Sequence, residues 1–317
     1  MKVGIGQYCL MRPFRFSLHT SHARSGEEWI ARARRAEELG YDTLLVPDHL
    51  TRQLSPISAM ATAAAVTTRL RIGPYVFAND FRHPLVMARE AATLDVLSGG
   101  RLELGLGAGW RVNDYRQLGL PYDLPKVRID RLVEALTLVK RLLAGETVSH
   151  DGEWYRLDGA RLSPRPVQRP RPPLHIGAGG PRMLRLAARE ADIVGLIPQF
   201  TTSGRPRVTD AGAAATARKV ALVREAAGSR FDALELSAFV ADAGLAGSGR
   251  PLPASVLALG KAAATTLIDS PYVLYGTVGA LRERLERRRA ELGISAYAIP
   301  GPAMEAMAPL VDALSGR

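Results

Sequence analysis

Asp48 and His49 stand side by side at the end of the apolar run LLVP. A carboxylate and an imidazole placed there can tune one another and move a proton; the plainer alternative is an aspartate opening a turn with a histidine beside it as a cap. The segment IGPYVFANDFRHP ends in Asn79 and Asp80, which either aim polar groups at a ring or close a turn. Arg82 and His83 follow, just before Pro84, and are expected to fix the loop. The run GLGAGW supplies Gly105, Gly107 and Gly109 ahead of Trp110. Alternating glycines let a flat ligand come close, or a neighbouring strand. In HIGAGGP, Gly177, Ala178, Gly179 and Gly180 lead into Pro181 at a helix start. Free N–H groups at such a turn, together with the helix dipole, hold a phosphate, although a glycine-rich turn can also be only a turn.

The remaining histidines promise less. His19 ends the first strand, His22 follows it in a loop, His150 lies in an insertion, and His175 falls inside a strand, where packing is the expected role. No H-E-x-x-H or Cys/His cluster points to a metal, and no G-x-S-x-G elbow to a serine hydrolase. Cys9 is the only cysteine, which excludes an intrachain disulfide and a cysteine metal cage.

These residues need a scaffold that brings loop after loop to one place. Eight apolar or β-branched runs, at 14–18, 43–47, 70–78, 102–106, 174–178, 193–198, 234–240 and 296–300, alternate with helix-period segments. Helices are expected over EEWIARARRAEELG, with Trp29, Ile30, Ala33, Ala36 and Leu39 on one face and Gly40 as its stop, from Pro84 to the Gly99–Gly100 pair, and over 127–143, 181–190, 211–227, 278–292 and 303–314. Alternation of this kind gives a parallel α/β sheet, and eight strands give a (β/α)8 TIM barrel, which carries function at the strand C-termini. Residues 1–317 read as a single domain, with residues 1–11 as a possible disordered extension. The proline-rich stretch between the fourth and fifth strands is an insertion near the mouth, and residues 199–210 form an irregular loop or lid.

Hydrophobic residues make up 47% of the chain, enough for one large core. No apolar run approaches the roughly 18 residues that span a bilayer, and the start MKVGIGQYCLMRPFRF does not read as a secretory leader; a cytoplasmic protein without a membrane partner is expected. The net charge of +11 raises the question of nucleic acid. Its arginines are scattered through acid-interleaved helices such as LRERLERRRAEL, which read as solvated faces, so an anionic small molecule is the better match.

In this order the segments resemble the luciferase-like monooxygenase superfamily and, more narrowly, its coenzyme F420 (deazaflavin) dependent oxidoreductases, over about residues 12–299. The stretches RRAEELGYDTLLVPDHL, LRIGPYVFANDFRHPLVMAREAATLDVLSGGRLELGLGAGW and PPLHIGAGGPRMLRLAAREADIVGL carry the likeness. It implies a barrel with insertions at its C-terminal mouth, a homodimer, and hydride transfer between C5 of the deazaflavin and a small organic substrate. His49 becomes the proton donor or acceptor, with Asp48 as its neighbour and ring contact. Tyr75, Val76, Phe77 and Asn79, with Ala108, Gly109 and Trp110, would border the ring, a non-proline cis peptide would fall among Pro74, Tyr75, Val76 and Phe77, and Gly177, Ala178, Gly179 and Gly180 would hold the phosphate. Several deazaflavin enzymes have an acidic residue where this chain has Trp110, which counts against a second acid and against sugar-phosphate dehydrogenase specificity. Two alternatives stand beside this reading: an FMNH2-dependent monooxygenase using O2, with FMN as cofactor, and a non-redox barrel binding a phosphorylated metabolite.

Overall fold

All four residues of Thr43–Val46, and all four of Ile193–Leu196, are buried. A strand covered on both faces belongs to a parallel sheet wrapped in helices. The computed structural model, which describes residues 12–200, 207–249 and 269–317, has that architecture. Its strands are β1 (Arg15–His19), β2 (Thr43–Val46), β3 (Arg71–Pro74), β4 (Phe77–Ala78), β5 (Leu104–Gly107), β6 (Val148–Asp151), β7 (Arg156–Ala160), β8 (Leu174–Ala178), β9 (Ile193–Leu196), β10 (Glu235–Phe239), β11 (Asp242–Leu245), β12 (Val273–Gly276) and β13 (Ile294–Pro300). Nine of them form one sheet in the order β3-β2-β1-β13-β10-β9-β8-β5-β4. A parallel bridge between Ile72 and Leu102 joins its two ends, with Ile72 N–H donating to Arg101 O at 3.0 Å and Glu103 N–H to Ile72 O at 2.9 Å. The cylinder is therefore closed. β3 and β4 are two halves of one barrel strand, parted at the cis Tyr75–Val76 bond, so nine segments make the eight strands of a TIM barrel.

The helices are α1 (Gly26–Glu38), α2 (Pro56–Val66), α3 (Pro84–Leu97), α4 (Val112–Leu118), α5 (Pro125–Leu143), α6 (Pro181–Glu190), α7 (Ala213–Ala227), α8 (Val278–Leu292) and α9 (Met304–Leu314). Local chemistry sets their ends. The Ser25 hydroxyl accepts from Glu28 N–H to open α1, and His83 Nδ1 accepts from Leu85 N–H at the start of α3. α3 stops where Gly99 and Gly100 take left-handed backbone, φ 66° and 84°. The inserted stretch before β8 holds the β6–β7 hairpin, whose tip brings Tyr155 to Asn79 and His83 near the mouth. Its proline-rich leg then returns along α3, where Asp95 accepts from the N–H groups of Val167 and Gln168. Residues 1–11 lie outside the described residues, as do 201–206 of the expected lid. The lid's described ends are tied together: Arg207 N–H donates to Gln199 O at 2.7 Å, and Gln199 N–H to Asp210 at 2.7 Å.

Inside the barrel, Arg15 meets Glu103 at 2.5 Å and Glu235 at 3.0 Å, and Arg71 meets Glu103 at 2.8 Å. Buried charges persist when matched in this way. Next to them lies His175, 2% exposed, with Nε2 lacking a hydrogen-bond partner. Burial lowers its pKa to about 4, partly opposed by Glu103. The ring is thus neutral in the fold, while an unfolded histidine titrates near 6.5. Between about pH 6.5 and 4 the unfolded chain binds a proton that the folded chain refuses, so this group removes stability as pH falls through that window. His175→Asn, which cannot titrate there, should therefore show a shallower loss of melting temperature from pH 6.5 to 4 than the parent. Parallel curves would refute a neutral, buried His175.

Candidate active site

A cavity of about 450 Å³ opens at the C-terminal ends of β2, β4, β5, β8 and β9. Its floor is the broken third strand. Tyr75 sits over the barrel's aromatic layer, its ring 5.7 Å from His19 and 5.4 Å from His175, and Val76 is pushed toward the mouth. The glycines of the fourth strand answer this bulge. A Cβ at Gly105 would lie 2.1 Å from Pro74 O, and one at Gly107 would lie 2.7 Å from Val76 Cγ2. Of the two reasons for alternating glycines, the close neighbouring strand accounts for Gly105 and Gly107. Gly109, with φ 71°, also lines the cavity, beside Ala108 and Trp110.

The sequence reading paired Asp48 with His49, and here the structure corrects it. Asp48, 7% exposed, turns to Arg82, which donates to both its oxygens at 2.6 and 3.0 Å, and also accepts Ala78 N–H at 3.1 Å. It therefore locks β2 to the β4 end. Arg82 fixes the loop, as expected, by way of this carboxylate. His49 is held by another acid: its Nδ1 is 2.7 Å from Asp114 Oδ2, and Asp114 Oδ1 accepts from Leu50 N–H at 3.2 Å. Asp114 is 1% exposed and belongs to α4, one turn after Trp110. The Asp114 carboxylate accepts from Nδ1–H, which leaves Nε2 as the working nitrogen of the imidazole.

Asn79 is also corrected. It opens the short turn Asn79–Phe81, is fully buried, and donates to Tyr155 OH at 3.1 Å instead of lining the cavity. Ala178 likewise packs into the core, whereas Gly177, Gly179 and Gly180 line the cavity. At Gly180 a Cβ would meet nothing within 4 Å, and no side chain caps α6. The first N–H groups of α6 are thus without a side-chain partner at that end of the cavity.

Several lining residues escaped the sequence reading, and four of them bear on the chemistry. Arg111 pairs with Asp114 at 3.3 Å. Arg128, 5% exposed, donates to Gly109 O and Asp123 O and lies over the Tyr122 ring, 4.2 Å from its centroid. Phe200 stacks on Trp110. Asp114 itself could have been suspected from its place four residues after Trp110, one turn on if a helix follows the glycines, but only the fold supplies its partner 65 residues away. A larger groove of about 920 Å³ lies elsewhere, along Thr277, Pro302 and Glu305. Glu305 is already taken by Arg35 at 2.8 Å, so the groove gathers little chemistry. Among the described residues, no cluster of three or more His, Cys, Asp or Glu could hold a metal, and no helix is long and apolar enough to cross a membrane.

A closed (β/α)8 cylinder with its cavity at the C-terminal mouth and a bulged third strand defines the class, and the family model for luciferase-like monooxygenases matches residues 7–246. The chain belongs to the luciferase-like monooxygenase family. It is 37% identical over 202 residues to an F420-dependent glucose-6-phosphate dehydrogenase of Microbacterium testaceum (strain StLB037), covering 61% of this chain and 58% of that one. It is 34% identical over 158 residues to a 5,10-methylenetetrahydromethanopterin reductase of Archaeoglobus fulgidus, covering 50% of this chain and 45% of that one. The match thus spans little more than half the length of the first of these relatives. Among solved structures, the coenzyme F420 dependent tetrahydromethanopterin reductase from Methanopyrus kandleri superposes with a TM-score of 0.73 at 20% identity, over 95% of this chain and 99% of that chain. At that identity the likeness is one of fold.

Proposed function

We propose that this chain is a coenzyme F420-dependent oxidoreductase that moves a hydride between the deazaflavin C5 and a carbon of a small organic substrate. One observation carries the reading: a single cavity joins the His49 end of β2 to the Gly177, Gly179 and Gly180 turn at the start of α6. A phosphate-bearing tricycle needs both ends. The glycine turn has open space at Gly180 and uncapped amides behind it, which suit a phosphate. Tyr75, Val76, Phe77, Ala108, Gly109 and Trp110 would border the ring. When bound, the deazaflavin supplies the two-electron chemistry. His49 manages the proton at Nε2, with Asp114 orienting the ring through Nδ1, and Asp48 with Arg82 keeps the two strand ends in register. The names of the curated relatives support the choice of deazaflavin over flavin.

The reading includes a homodimer: Val86, Val96 and Leu97, 49%, 41% and 62% exposed, leave apolar surface on α3 of the kind a second copy covers.

Anaerobic calorimetric titration with oxidised F420 and, separately, FMN tests the proposal. Tight F420 binding with weak or absent FMN binding is expected. Tight FMN binding without F420 binding would transfer the chain to the oxygen-using monooxygenases, and affinity for phosphate esters with neither cofactor bound would make it a non-redox barrel.

A further inference from the structure

Trp110 and Phe200 stack with ring centroids 4.9 Å apart and planes 17° from parallel, and Trp110 meets His49 edge-on at 5.4 Å. All three line the cavity. A stacked aromatic pair therefore stands beside the imidazole assigned to proton transfer. Its two halves are held firmly. Tyr122 OH donates to Trp110 O at 2.8 Å. Gln199, just before Phe200, gives its N–H to Asp210, and that carboxylate is gripped at 2.6 Å by Lys219, which also donates to Ile197 O at 2.8 Å. Lys219 is 4% exposed, so these two acceptors fix the base of the loop after β9.

The charges around this wall are already matched. Asp48 faces Arg82, Asp114 faces His49 and Arg111, and Arg128 faces two carbonyls. Among the described lining residues, every cation already has an acceptor, Arg111 by its single Nη1 contact with Asp114, so a substrate phosphate would meet only cations already shared with protein oxygens. A flat apolar skeleton would need none of them.

Resting on the oxidoreductase reading above, we propose that the Trp110–Phe200 wall is the substrate subsite, and that it takes an uncharged planar carbonyl compound, aromatic or conjugated, or the matching alcohol. The two rings already touch, so the substrate lies against their cavity face and not between them. In the reducing direction the carbonyl carbon gains a hydride from the reduced deazaflavin, which is thereby oxidised by two electrons, and the carbonyl oxygen gains a proton from His49 to give the alcohol. The oxidising direction reverses each transfer. A sugar phosphate, in contrast, would find no stacking partner for its ring and only cations already paired with protein oxygens.

The test begins with F420 binding to the wild-type chain, since failure there removes the oxidoreductase reading and this inference with it. With oxidised cofactor bound, 2-naphthaldehyde and glucose 6-phosphate are then titrated calorimetrically, and turnover is followed with reduced cofactor for the aldehyde and oxidised cofactor for the sugar phosphate. Binding and reduction of the aldehyde, with no binding of glucose 6-phosphate, is expected. Phe200→Ala should weaken aldehyde binding about tenfold and raise its KM in step, with F420 affinity retained; Phe200→Leu, which keeps most of the volume, should fall between and covers the case of an unfolded alanine variant. Cofactor binding intact while glucose 6-phosphate is turned over and the aldehyde ignored would overturn the inference and leave the oxidoreductase reading standing. So would a Phe200→Ala variant that loses F420 affinity in place of aldehyde affinity.

Discussion

His49→Ala is expected to lower kcat by about 10²–10⁴-fold, the usual worth of a positioned general acid or base, while the Kd for F420 stays close to that of the parent. The reason is geometric. Nδ1 is committed to Asp114 at 2.7 Å, the side chain is half-buried at the cavity edge, and no other imidazole lines the cavity among the described residues. His19 cannot stand in: its Nε2 is bound to Val240 O at 2.9 Å, and burial lowers its pKa to about 4. Asp114→Asn extends the same prediction. It preserves shape but replaces the carboxylate acceptor of Nδ1–H with an amide, so the imidazole loses its fixed tautomer and orientation, kcat should fall with cofactor affinity kept, and Asp114→Glu should recover part of the loss. A purely structural Asp114 would instead lower thermal stability in both variants without this rescue. Undiminished turnover in His49→Ala would remove its assigned role.

Gly105→Ala is the second large effect, and it is read in stability. The added Cβ would stand 2.1 Å from the carbonyl oxygen of Pro74, a main-chain atom that cannot rotate aside, and 3.0 Å from Val76 Cγ1. Either β3 or β5 must move, at the point where the third strand breaks. Overpacking of this kind costs about 3 kcal/mol, and a lower denaturation midpoint with weakened cofactor binding is expected, because Val76 lines the cavity floor. Gly26→Ala provides the control, since a Cβ there meets nothing within 4 Å. Equal midpoints for the two variants would mean that Gly105 does not make room for the neighbouring strand.

The barrel was legible because its strands are short apolar runs with punctuated ends: β8 (Leu174–Ala178) and α6 (Pro181–Glu190) fall where periodicity and the glycine turn put them. α2 escaped because PISAMATAAAV is small and apolar all round and offers no stripe to read. α4, seven residues long, is too short for a periodicity argument. The parallel β11–β12 pair joins segments 28 or more residues apart, so neither strand announces its partner. The site divides the same way. Local features could be read directly: the Asp48–His49 position and the Gly177–Gly180 turn; the cis bond, found at Tyr75–Val76, was implied only by the family resemblance, which confined it to four residues. What adjacency suggested and the fold refused was the pairing itself. Asp48 reaches across to Arg82, 34 residues on, and His49 to Asp114, because consecutive residues at a strand end point to different neighbours. Arg128, in α5, and Phe200, in the loop after β9, join the cavity from further along the chain, and no spacing in the chain relates them.

The central claim is that one phosphorylated deazaflavin spans the cavity from the α6 turn to His49. A crystal structure of the chain soaked with oxidised F420 measures this directly. The account predicts the phosphate within hydrogen-bonding distance of the amides around Gly179 and Gly180, and the ring over Val76 with its reactive edge toward His49. A cofactor bound elsewhere, or one lying with its ring at the glycine turn and its phosphate beside His49, would contradict it.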